Sequence, residues 1–223
     1  MSTRKKKFKL TTENYYSKDR PHISNSQVSD FLKSKEYYFH RHVLRDLPFA
    51  LTAQMRIGSM VDDLLCGRPL RYQVQVLKRD DPELFEIQKT LPDDMLITER
   101  EFNEAQAHAK AIMREPVYQF YIQKHAKFQV PLEGLVDDIP ICGLADVITV
   151  TPKTIYLDDF KVVSALKLAN LEKWYWNCQS FGYLRQLAAY KFMLEPLAQG
   201  REIVTRHLVS TKLDHGLYKP FPI

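Results

Sequence analysis

The chain has 223 residues, 45% of them hydrophobic and 26% charged, a composition that fits one globular domain and excludes wholesale disorder. No run approaches the 18 apolar residues of a membrane span, and the basic start Met1-Ser2-Thr3-Arg4-Lys5-Lys6-Lys7 lacks the apolar stretch of a secretory leader. Thirty-two Lys and Arg against 27 Asp and Glu leave a net charge of +5, and Cys66, Cys142 and Cys178 form no C-x-x-C pair, which excludes a four-cysteine zinc or iron–sulfur site and suits reduced thiols in a cytosol-like compartment.

Five of the first nine residues are basic, so residues 1–20 are expected to be a solvated, flexible arm, with one domain over 21–223. Ser24-Asn25-Ser26 offers N-cap chemistry, and Val28, Phe31, Leu32, Tyr38 and Phe39 follow at helical spacing, ending in the aromatic and basic run Tyr37 to His42. A second helix is expected from about Ala50 to Cys66, with Ile57, Met60, Val61, Leu64 and Leu65 on one stripe, stopped by Gly67-Arg68-Pro69. Tyr72 to Leu77 reads as a strand. Thr98-x-x-Glu101 is a capping box that opens a helix through about Met113. From Lys127 the period changes to that of strands: Phe128 to Leu135, Ile139 to Val150 and Thr154 to Val163, turned at Asp137-Asp138 and at Thr151-Pro152-Lys153-Thr154. A long helix over about Leu168 to Leu197, ended by Gly200, and a strand from Ile203 to Val209 complete the pattern. The order α-β-β-β-α-β predicts an α+β or α/β domain with a mixed sheet flanked by helices.

The second turn has a chemical consequence. A two- or four-residue loop centred on Pro152-Lys153 pairs positions whose numbers sum to 305, which sets Asp146 opposite Asp159. Strand alternation puts Lys161 on the face of Asp159 and turns Asp158 to the other face. Two facing carboxylates repel each other unless a cation sits between them, and a hard ion such as Mg²⁺ or Mn²⁺ is the natural occupant. Lys161 would then help to orient a water for attack on phosphorus.

These residues resemble the PD-(D/E)XK nuclease superfamily, and within it the RecB-like branch that includes phage-type exonucleases. Five segments carry the resemblance in family order: Ile23 to Val28 with Tyr37 to Arg41; Ile57-Gly58 through Asp62-Asp63-Leu64-Leu65; Cys142-Gly143-Leu144-Ala145-Asp146; Ile155 to Lys161; and Gln186-Leu187-Ala188-Ala189-Tyr190-Lys191. The resemblance implies a restriction-endonuclease-like core. It also implies metal ligation by Asp146, Asp159, the Phe160 carbonyl and Asp62, with Asp62 standing where the family carries histidine. Lys161 would act on the attacking water, and Gln186 and Tyr190 would complete the catalytic set. A second Q-x-x-x-Y, Gln179 to Tyr183, fits less well. Glu133 on the preceding strand is a spare carboxylate, for the metal site or, in the preferred reading, for the strand surface, and the family's iron–sulfur cysteines are missing.

The expected activity is a Mg²⁺- or Mn²⁺-dependent DNA exonuclease, using one or two ions and no iron–sulfur cluster. Linear single- or double-stranded DNA is the expected partner, with no membrane, in a bacterial or phage-infected cytoplasm and in recombination, repair or processing. A homo-oligomer or a recombination partner protein is compatible with the sequence. The rival readings are a site- or structure-specific endonuclease of the same fold and an inactive nucleic-acid-binding subunit. Tyr37, Tyr38, Trp174, Tyr175 and Trp176 are candidate stacking platforms for an unpaired strand.

Overall fold

The computed structural model describes residues 8–17, 19–47, 51–75, 96–163, 171–212 and 218–222. Arg4 to Lys7, the end of the strand expected to Leu77 and the start of the helix expected from Leu168 lie outside them. The chain divides into two compact units. One comprises Met1–Leu47, Lys124–Asp159 and Tyr175–Arg206, the other Pro48–Gln123, Phe160–Trp174 and His207–Ile223.

In the first unit a short strand β1 (Ile23–Ser24) leads into α1 (Asn25–Lys33). The Ser24 hydroxyl accepts from the Gln27 N–H, and the Gln27 side chain accepts the Ser24 N–H at 2.9 Å, a complete capping box. The helix does not run on to His42. Ser34 adopts extended backbone and its hydroxyl accepts the Tyr37 N–H, which ends α1 and starts α2 (Lys35–Tyr38). A π-helical turn, Phe39–Leu44, follows and stops at Arg45 with φ 61°.

The three central strands are β4 (Lys127–Val136), β5 (Ile139–Val150) and β6 (Thr154–Val163). Asp137 and Asp138, at φ 48° and 64°, make the left-handed two-residue turn that suits the twist of a hairpin. At the second turn Thr151 and Thr154 bond each other, and the ladder pairs Val147 with Asp158 through Val150 with Ile155, the register that sums to 305. The helix expected over 168–197 is two helices, α6 (Leu171–Ser180) and α7 (Tyr183–Leu194), followed by a 3₁₀ turn. Gly182 breaks it at φ 69°, where a side chain would also meet Arg185. The last strand is longer than expected, Glu202–Lys212 (β7). Among the described residues the mixed sheet has six strands, in the order β1-β5-β6-β7-β8, with β8 at Tyr218–Pro222 and β4 on the other edge of β5.

One face of this sheet buries Leu132, Ala145, Ile148, Ile155 and Leu157 under Leu187, Tyr190, Met193 and Leu194 of α7. The other face carries Cys142 and Leu144, covered by Leu10 and Tyr15, so this part of the stretch expected as a solvated arm is packed on the sheet, because its apolar side chains cover that face. Asp158 belongs to that second side in its strand parity. It is fully buried in a two-point ion pair with Arg206 at 2.5 and 2.8 Å, and the guanidinium also lies over the Tyr156 ring.

The second unit holds α3 (Ala53–Leu65), a parallel pair β2 (Gln73–Gln75) and β3 (Leu96–Thr98), α4 (Glu99–Met113) and α5 (Pro116–Gln123). The capping box at Thr98 forms as expected, and Glu101 is also bound by Arg56 of α3. Ile57, Met60, Val61 and Leu65 bury the α3 stripe, with Ala105, Ala109 and Ile112 on the buried side of α4. Among the described residues no helix is long and apolar enough to cross a membrane.

Candidate active site

β5 changes partner along one edge. It pairs with β6 from Val150 to Val147, and with β1 at Ile141 and Cys142. Gly143 to Asp146 lies between the two pairings, at a fork in the sheet. Asp146 and Asp159 are the next residues on β5 and β6 beyond the Val147–Asp158 pair. Asp159 is 1% exposed and Asp146 half-buried.

Helix α7 supplies the groups facing them. Gln186 and Tyr190, at i and i+4, share a helix face. The Gln186 amide lies 3.2 Å from Asp159 Oδ1 and 2.9 Å from the Tyr190 hydroxyl. Burial pushes the Tyr190 phenol well above its ordinary range, and the charges of Asp159 and Asp146 push it further. Both carboxylates therefore act on one buried hydroxyl. Gly143 explains the close approach of the helix: a Cβ there would lie 2.5 Å from Tyr190 Cδ1, and closer still to Cε1. The glycine of the G-x-x-D segment is thus a seat for the Tyr190 ring.

Gln179 and Tyr183 do not form an equivalent pair, because the break at Gly182 falls between them and Gln179 bonds Tyr175 instead. Phe160, Lys161 and Asp62 belong to the second unit. Phe160 is buried and Lys161 half-buried, on the strand that carries Asp159. Asp62 is half-buried on α3, whereas the neighbouring Asp63 is buried and held by Arg68 and Arg71 at 2.8–2.9 Å. Asp63 is therefore a structural carboxylate. Glu133 stands 46% exposed, 3.5 Å from His22. Trp174 is 2% exposed and closed to stacking, while Tyr175 and Trp176 are more than half exposed.

One site residue escaped the sequence. Gln129 of β4 donates from Nε2 to Asp146 Oδ1 at 3.0 Å. Nothing in a lone glutamine on a strand signals this.

The chain matches no family model and no curated protein. Its fold is that of a crystal structure of a presumptive exonuclease from Eubacterium rectale. The two share 18% sequence identity at a TM-score of 0.69, over 97% of this chain and 78% of the other.

Asp146 and Asp159 offer hard oxygen donors from neighbouring strands, beside the neutral side chains of Gln186 and Tyr190. That donor set fits a divalent ion bound through one or two carboxylates and several waters. Among the described residues no group of three or more His, Cys, Asp or Glu side chains is assembled for a metal.

Proposed function

We propose that the protein is a Mg²⁺- or Mn²⁺-dependent DNA exonuclease of the RecB-like branch of the PD-(D/E)XK nucleases. The observation that carries this reading is the convergence of Asp146 and Asp159 at the fork, with Gln186 and Tyr190 bonded beside them. The likeness in fold to a presumptive exonuclease supports it.

In this reading Asp146 and Asp159 would hold the metal, with the carbonyl of Phe160, the residue after Asp159, as a further ligand. The ion, when bound, polarises the scissile phosphate and acidifies its water. The protein's own groups do the rest. Lys161, two residues beyond Asp159 on β6, extends to the same strand face and orients the attacking water with its ammonium. Gln186 fixes the Asp159 carboxylate through Oδ1. Tyr190 stays protonated at neutral pH, so it donates to an oxygen and adds no charge against the phosphate. The nuclease domain takes in Leu10 and Tyr15 of the expected arm together with residues 21–223, and acts in bacterial or phage DNA recombination, repair or processing in the cytoplasm.

The test is cleavage of end-labelled linear and closed circular DNA in Mg²⁺ or Mn²⁺ by wild type and Lys161→Ala. Degradation of linear DNA alone, abolished in the variant and by EDTA, is expected. Cutting of circles would move the assignment to an endonuclease, and DNA binding without cleavage to an inactive subunit.

A further inference from the structure

The β4–β5 pairing contains an irregularity at the site. Between Phe128–Val147 and Val130–Ala145 the ladder skips one pair, Gln129 with Asp146. Ala145 and Ile148 both enter the α7-facing core although they stand three residues apart on β5. Regular alternation would put them on opposite faces, so the side-chain pattern slips once between them. On β4 the slip is taken up by Gln129, a buried non-glycine residue in left-handed backbone at φ 50°. The Thr12 hydroxyl reaches its carbonyl at 3.3 Å. Without the slip, Asp146 would share the face of Cys142 and Leu144, under Leu10 and Tyr15. With it, Asp146 joins Asp159 and Tyr190.

Left-handed backbone at a buried glutamine persists only where its surroundings impose it, and irregular strand pairs beside sites re-aim side chains. We propose that Gln129 is a positioning residue for Asp146. Its backbone turns Asp146 towards α7, and its amide holds Oδ1 so that the carboxylate is preset for a divalent cation. The proposal rests on the metal-dependent reading above. It mirrors, on the opposite strand, the bond of Gln186 to Asp159: each carboxylate is steadied by one glutamine amide.

The experiment uses the full chain and three readouts: Mn²⁺ affinity by electron paramagnetic resonance of the free ion, thermal midpoint, and DNA binding in EDTA. In Gln129→Gly the backbone remains free to take φ 50° while the amide is lost. In Gln129→Asn left-handed backbone is tolerated, but the amide is one carbon short. Both variants are expected to weaken Mn²⁺ binding by about tenfold or more, the usual effect of losing a partner of a metal ligand. The midpoint and the metal-free DNA binding are expected to stay at wild-type values. Wild-type Mn²⁺ affinity in both variants would overturn the proposal and leave the nuclease reading standing. Loss of Mn²⁺ affinity together with a lower midpoint and lost DNA binding in both would also overturn it, since Gln129 would then be structural only. A wild-type protein that neither binds Mn²⁺ nor cleaves DNA would overturn both.

Discussion

Substituting Gly143 by alanine adds one methyl group and tests the seat of Tyr190 on β5. Alanine costs less backbone entropy than glycine in a strand, which by itself favours the variant by about 0.5–1 kcal/mol. Against that stands the contact. The new Cβ would lie 2.5 Å from Tyr190 Cδ1 and 3.0 Å from Cζ. The obstacle is a planar ring, not the tip of a flexible side chain. Tyr190 is 4% exposed and packed with Leu187, Met193 and Leu194, so it has no room to swing away. Overpacking of this kind costs about 1–3 kcal/mol, and the upper end applies where a rigid ring must move. A net loss of about 2 kcal/mol would lower the thermal midpoint by about 4–8 °C for a chain of this size. Thermal and urea unfolding followed by circular dichroism would measure it. A double-mutant cycle with Tyr190→Ala supplies the control. That truncation is itself expected to cost about 3–5 kcal/mol, but it removes the ring that the methyl group meets. The two losses should therefore be less than additive by about 2.5–3 kcal/mol. A Gly143→Ala protein at least as stable as wild type, or a strictly additive cycle, would refute the reasoning.

Two further outcomes are expected. Asp158→Asn breaks the buried pair with Arg206 and should cost about 3 kcal/mol while leaving metal-dependent cleavage per folded molecule intact; Asp159→Asn should abolish cleavage with a smaller loss of stability, and unfolding curves beside nuclease assays separate the two. The phenol of Tyr190 is raised in the folded state, so near pH 10 the unfolded chain releases its proton first and stability falls as pH rises beyond that value; urea titrations between pH 8 and 11 should show a shallower alkaline decline in Tyr190→Phe than in wild type.

The elements that could be read from the sequence are those whose signal is local. The capping box Thr98-x-x-Glu101 sets the start of α4 because both partners lie within one turn. The β5–β6 register follows from a short turn and period-two alternation, and the ladder from Val147–Asp158 to Val150–Ile155 keeps it. The break between α6 and α7 was hidden by a continuous apolar pattern, although Gly182 marks it. Pro116 at the first position of α5 was an available signal for a helix that the sequence reading missed. Leu10 and Tyr15 carry no periodicity that would announce their packing on Cys142 and Leu144, and Gln129 takes positive φ with no glycine to give it away. Those features depend on long-range contacts, which no short window of sequence contains.

The alternation that separates Asp158 from Asp159 also explains why the site needs an irregular strand. A regular β5 would have to choose between two demands. Residues 142 and 144 must face Leu10 and Tyr15, while Gly143 must face Tyr190 so that α7 can lie close. By strict parity Asp146 would follow Cys142 and Leu144 to the wrong side of the sheet. On β6, which needs no such change, Ile155, Leu157 and Asp159 keep one parity and one face. A single slip between Ala145 and Ile148 lets β5 seat the ring with Gly143 and still bring Asp146 to bear on Tyr190 together with Asp159. The strained backbone at Gln129 is the cost of meeting both demands on one strand, and the fork between β6 and β1 is where a strand can slip with the fewest ladder bonds to break.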